Sequence, residues 1–168
     1  MRKKHKLGAT KNLKKKETTV KWVEFLWKVA VKCLAGFQSE LSQQDGELHA
    51  HHLTGKDNLW MRYDLRNGIC LLAGQHKYGA HGTPSKQIEF KRSVEMLRGK
   101  GVIDRLYDEL RWKKGEPNLF DEEERLIKVI APHTHQLTKW FESKDYKSKA
   151  VIQDYKRLFE KLQQLEGD

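Results

Sequence analysis

The longest unbroken apolar run in this chain is only five residues, Ile69-Cys70-Leu71-Leu72-Ala73. That shortness limits what the chain can build. A membrane-spanning helix needs roughly 20 apolar residues, so no span and no membrane partner are expected. The core must instead come from amphipathic pieces packed around a short buried strand. Asn67-Gly68 immediately before the run is a turn signal, and the β-branched and apolar residues after it read as that strand. A partner strand is expected at Glu47-Leu48-His49-Ala50-His51-His52-Leu53, after the Asp45-Gly46 turn. The polar stretch from Thr54 to Asn58 then makes the pair a hairpin with a long loop.

Helical spacing surrounds this centre. Over residues 18–35, Lys21, Glu24, Lys28 and Lys32 recur every three or four positions, while Val20, Val23, Leu26, Trp27, Ala30, Val31 and Leu34 fill the other sides. Gly36 is the stop. Thr83-Pro84 opens another helix, with Phe90, Val94 and Leu97 in register up to Gly99. Ile103, Leu106, Tyr107 and Leu110 define a third, stopping near Gly115. Asp121 to Glu124 place anions in the first turn of a fourth, which Pro132 ends or kinks. Val151, Tyr155, Leu158, Phe159, Leu162 and Leu165 mark the last, at a spacing that serves core packing or a partner helix. The fold class is therefore α+β, and 168 residues can bury a core without staples.

Charge and cysteine usage narrow the setting. Residues 1–16 hold eight lysines and arginines and no acid, against a net charge of +10 for the whole chain. With little apolar surface to offset the entropy of ordering, residues 1–17 are expected to be a disordered basic arm that contacts a polyanion, nucleic acid first. Lys14, Lys15 and Lys16 are its densest stretch. The two cysteines, Cys33 and Cys70, form no CxxC pair, which suits a reducing cytoplasm and excludes an all-cysteine zinc site. Cys70 reads as a small buried apolar group. The Lys-rich start lacks the apolar stretch of a secretory signal.

Five of the eight histidines fall between residues 49 and 81. Histidine is the usual neutral metal ligand and the side chain most easily tuned to move a proton near neutrality. Adjacent residues of a strand point to opposite faces, so His51 and His52 are separated unless a distortion at the strand end turns both toward one pocket. Asn67 follows His52 by fifteen residues, His76 follows Asn67 by nine, and His81 lies five further on.

At this spacing the chain resembles the HNH, or ββα-metal, endonucleases, in which a histidine pair ends one strand, an asparagine lies in the connection or second strand and a histidine starts the following helix. The wording "LHAHHL...RYDLRNGICLLAGQHKYGAHG" is similar to the HNH proteins of phages and their hosts, and more loosely to phage recombination nucleases of the NinG type. The resemblance covers about residues 20 to 90. It implies an HNH nuclease domain over 18–98, with 99–168 a helical C-terminal region outside it. Carried over by position, His52 is the general base and Asn67 orients the loop or the base. His51, His76 and His81 are metal ligands. His49 is left as a ligand, an outer partner or a neighbour.

The implied activity is divalent-metal-dependent hydrolysis of DNA phosphodiesters, by nicking or double-strand cutting, in a cytoplasm that is the host's if the gene belongs to a phage. Such hydrolysis needs a base for water, a metal for the charge on phosphate and leaving oxygen, and cations to hold the strand. Arg62 and Arg66, flanking the loop before Asn67, are the candidate phosphate clamps. One divalent ion is expected, Mg²⁺ or Mn²⁺, with Zn²⁺ as an alternative. Many members of the family also build the finger on four zinc-binding cysteines. Here the second pair would fall near Leu72 and Gln75, so no structural zinc is expected. Burial of Leu48, Leu53, Ile69, Leu71 and Leu72 against the first helix is expected to hold the hairpin, at roughly 1.5 to 3 kcal/mol per large side chain. Two other readings are a DNA-binding module on a degenerate finger and a structural zinc adaptor held by His51, His76 and His81. The second gives His52 and Asn67 no task.

Overall fold

The computed structural model describes the backbone of residues 4–166 and the side chains of residues 19–165. The long helix α1, Lys4–Leu34, is the spine of the molecule. Its backbone takes in residues 4–17, where the sequence reading places a disordered arm, so no break occurs at residue 18. Lysine, leucine and alanine are good helix formers, and adding a residue to an existing helix is far easier than nucleating one. The side chains of Lys14, Lys15 and Lys16 lie outside the described residues, and so do their contacts. α1 stops as expected at Gly36, which has φ +63. The Phe37 N–H donates to the Lys32 carbonyl and the Gly36 N–H to that of Cys33, both at 2.9 Å, which satisfies two carbonyls the helix end would otherwise orphan.

The hairpin is antiparallel, with β1 at Leu48–His52 and β2 at Gly68–Leu72. His51 faces Ile69 and His52 faces Gly68 in the register. Only glycine fits opposite His52, because a Cβ at Gly68 would come within 2.4 Å of Val31 and 3.0 Å of Trp27. The outer edge of β2 is closed by Glu40. Its N–H donates to the Cys70 carbonyl and its carboxylate accepts the Cys70 N–H, each at 2.9 Å.

The hairpin is buried on both faces, which corrects the expectation that its leucines all pack on α1. Leu48, Ala50, Cys70 and Leu72 face α1 and join Trp27, Ala30 and Val31 in the main core. Ile69, Leu71 and Leu53 point the other way, to Val94 and Phe90 of helix α3, Pro84–Arg98, and to Val102 and Ile103 of α4, Val102–Arg111. Strand alternation makes this split unavoidable. Cys33 and Cys70 are free and buried, and burial pushes both thiols up to about 12.

The loop between the strands holds a short helix the sequence reading lacks, α2 at Leu59–Tyr63, capped by the Asn58 side chain accepting from Met61 N–H at 2.8 Å. Helices α5, Leu119–Ile130, α6, Thr134–Glu142, and α7, Lys149–Glu166, complete the fold. Pro132 sits in a single 3-10 turn, Ala131–His133, between α5 and α6. Leu126, Ile127 and Ile130 of α5, Leu137 of α6, and Tyr155, Leu158 and Leu162 of α7 share one core with Trp22, Val23 and Leu26 of α1. Residues beyond 98 are thus packed onto the helix that also backs the hairpin. No helix among the described residues is long and apolar enough to cross a membrane.

A three-histidine candidate metal centre

His51, His76 and His81 converge, each offering one nitrogen within 4.8 Å of the others. The rings pack edge to face, with centroids 5.1 Å apart for His51 and His76, 4.9 Å for His51 and His81, and 4.8 Å for His76 and His81. Their five-residue spacing along the chain explains how His76 and His81 meet. On an α-helix, at about 100° per residue, side chains five apart sit about 140° apart and diverge. Here Gln75–Ala80 is instead a π-helical turn, and the His81 N–H donates to the His76 carbonyl at 3.2 Å. The wider turn brings residue i+5 back over residue i.

The turn is held at its start by Gln75. Its Oε1 accepts the Leu72 N–H at 3.0 Å and the Ser39 hydroxyl at 2.6 Å, tying the end of β2 to the loop after α1. By the resemblance drawn from the sequence, the second zinc-binding cysteine pair would fall near Leu72 and Gln75. The half-buried Gln75 carboxamide makes that junction in this chain.

The electrostatics favour neutral rings at His51 and His76. Burial, then the neighbouring His76 and His81, push His51 down to about 3, so one of its ring nitrogens keeps a bare lone pair at neutral pH. Burial and the His49 and His81 rings lower His76 as well. Three neutral imidazoles on one side of a site are a proper donor set for a borderline transition ion and leave positions open for water or substrate. A tetrahedral zinc with bonds of about 2.0 to 2.1 Å needs donors about 3.3 Å apart, so small ring movements would seat it.

His52 is not in this cluster. No distortion turns it toward His51, and its ring stacks on the buried Trp27 at 3.8 Å and 3°, on the α1 side of the hairpin. Its Nε2 lies 3.0 Å from the Arg62 carbonyl, which can only accept. Nε2 therefore carries the proton, and in the neutral ring Nδ1 is bare. Burial lowers the His52 pKa, partly opposed by the bond to Arg62.

Asn67 is fully buried, and its side-chain hydrogen bonds go to the loop rather than to His52 or the cluster. Its Oδ1 accepts from Thr54 N–H at 2.8 Å and from the Thr54 hydroxyl at 2.9 Å, and its Nδ2 donates to the carbonyls of Gly55, at 2.9 Å, and Met61, at 2.8 Å. All four capacities are used. It pins both ends of the loop whose Arg62 carbonyl holds His52, which makes it a positioning residue. Of the two expected phosphate clamps, Arg66 is spent on the protein itself. Its guanidinium forks onto Asp64 and Glu109 at 2.7 to 3.1 Å. Burial alone would raise the Asp64 carboxyl, but these bonds and the Arg66 charge bring it below the usual range. Arg62 reaches the Lys56 carbonyl at 3.5 Å.

Trp27 and the Arg62 main chain escape a sequence reading, because a stacking partner and a carbonyl carry no motif. His49 is drawn into the site as a neighbour of His76, with their Nδ1 atoms 3.1 Å apart. Compared with protein families, curated proteins and solved structures, the chain matches none.

Proposed function

We propose that this chain is a divalent-metal-dependent DNA endonuclease of the HNH kind, with residues 48–81 as its finger. The observation that carries the reading is the pairing of two adjacent histidines in opposite roles. His51 joins His76 and His81 as a set of converging ring nitrogens, while His52 is fixed by a carbonyl with one nitrogen left to take a proton. A phosphodiester lying across the end of β1 meets both. His52 Nδ1 accepts the proton of the attacking water, and the Trp27 stack with the Arg62 carbonyl prevents the ring from rotating away. Asn67 keeps that carbonyl in place through the loop. The ion held by His51, His76 and His81 would supply charge neutralisation at the phosphate and the leaving oxygen.

The donor set refines the choice of ion. Mg²⁺ and Mn²⁺ favour oxygen ligands, whereas three imidazoles suit Zn²⁺ or Ni²⁺ better. The test is incubation of supercoiled plasmid with the protein and Mn²⁺, Zn²⁺, Ni²⁺, Mg²⁺ or a chelator. Nicked or linear product with a transition ion and none with chelator is the expected result. DNA binding without cleavage under every ion would support a non-catalytic binding module instead.

A further inference from the structure

His49 stands beside the three-histidine cluster on the same face of β1 as His51, two residues away. Its Nδ1 lies 3.1 Å from the Nδ1 of His76, and its Nε2 lies 3.3 Å from Oε1 of Glu47. Two ring nitrogens at this distance share one proton. Two bare lone pairs repel, and so do two N–H groups.

Only two arrangements of neutral rings are open. If His49 Nδ1 carries the proton, His76 Nδ1 accepts it. The remaining proton of His76 then sits on Nε2, and the ring has no lone pair left for a metal. If His76 Nδ1 carries it, His76 Nε2 is bare and can ligate. The Glu47 carboxylate chooses between them, because an ionised carboxylate accepts only. It draws the proton of His49 to Nε2, which leaves His49 Nδ1 bare and obliges His76 Nδ1 to donate.

We propose that Glu47 and His49 are positioning residues that fix His76 in the tautomer whose Nε2 faces the metal. This rests on the metal reading of the preceding subsection and deepens it. The arrangement lengthens, by one imidazole, the carboxylate–histidine–metal chain that commonly orients a ligand. The two links are unequal. The His49 side chain is 39% exposed and that of Glu47 80%, so the outer link is open to water and the inner one carries most of the effect.

Two measurements on the full chain test this. Long-range ¹⁵N–¹H NMR correlations on metal-free, ¹⁵N-labelled protein at neutral pH read the tautomers directly. Protonated Nδ1 on His76 and protonated Nε2 on His49 are expected, and protonated Nε2 on His76 would overturn the proposal. Calorimetric titration with Zn²⁺ then compares wild type with His49→Phe, His49→Asn and Glu47→Gln. Phenylalanine keeps the ring and removes the acceptor, and should weaken Zn²⁺ binding by about 10- to 100-fold. Asparagine places an oxygen near the position of Nδ1 and should restore most of the affinity, while Glu47→Gln should cost less than tenfold. Equal losses for phenylalanine and asparagine, or no loss for phenylalanine, would show that His49 only fills space. If wild type bound no Zn²⁺, the metal reading would fail, while the NMR tautomers would still decide the Glu47–His49–His76 chain.

Discussion

His51 and His52 are consecutive residues of one strand, with the same side chain, and they live in different chemistry. His51 faces outward from the main core toward a π-helical turn, where burial and two further imidazoles keep it neutral and unbonded to any carboxylate. His52 faces α1, where Trp27 and a main-chain carbonyl take one face and one nitrogen of the ring. The lesson is that strand alternation divides labour. A two-residue repeat supplies two environments within one step along the chain, which the proposed nuclease would use for a ligand and for a base.

The sharpest way to break this contrast is to remove one member. His52→Ala should lower plasmid cleavage by about 10²- to 10⁴-fold, the usual worth of a positioned general base. Its transition-ion affinity should stay that of wild type. Calorimetry showing the ion lost in His52→Ala would merge the two roles and end the contrast.

Asn67 tests whether the loop serves the His52 side alone. Asn67→Ala strands the half-buried Thr54 N–H and Gly55 carbonyl and the buried Met61 carbonyl. A cost of more than about 2 kcal/mol in denaturant unfolding is expected, since each buried orphan costs about 1 to 3 kcal/mol. Metal affinity at a temperature where the variant is folded should change little. A parallel loss of the ion would mean that the loop supports both faces.

Acid sharpens the contrast from the other side. The depressed pKa values of His51, His76 and His52 mean that the unfolded chain binds protons first, so stability falls as pH drops below the ordinary histidine value of 6.5. For His51 the loss continues toward about 3. Between about pH 6.5 and about pH 5, where carboxylates remain ionised, His51→Phe should flatten the slope of unfolding free energy against pH. An unchanged slope would place the sensitivity elsewhere. The smallest effect belongs to Arg66→Ala. Its exposed pairing with Asp64 and Glu109 should add little to stability, with DNA affinity little altered. A large loss of DNA affinity would return Arg66 to the role of phosphate clamp.

Much of this was legible in the residues. The apolar run after Asn67-Gly68 and its partner segment are paired strands, and Thr83-Pro84 and Gly36 bound helices as their chemistry dictates. The grouping of His51, His76 and His81 was implied by the resemblance, carried over by position. What was hidden depends on the backbone rather than on side-chain type. The π-helical turn over Gln75–Ala80 has no compositional mark, α2 is too short for a periodic signal, and the Arg62 carbonyl belongs to no motif. Helix α6, at Thr134–Glu142, was obscured by Pro132. The expectation for Arg66 failed to anticipate Glu109, 43 residues away in sequence.

The most direct measurement is anomalous diffraction from crystals grown with Mn²⁺ or Zn²⁺. One ion peak is predicted, about 2.0 to 2.2 Å from a nitrogen of each of His51, His76 and His81. For His76 that nitrogen should be Nε2, and the His52 ring should remain stacked on Trp27 with no bond to the ion. An ion bound by His52, or no ion at the three histidines at saturating metal, would contradict the division of roles between the two faces of β1.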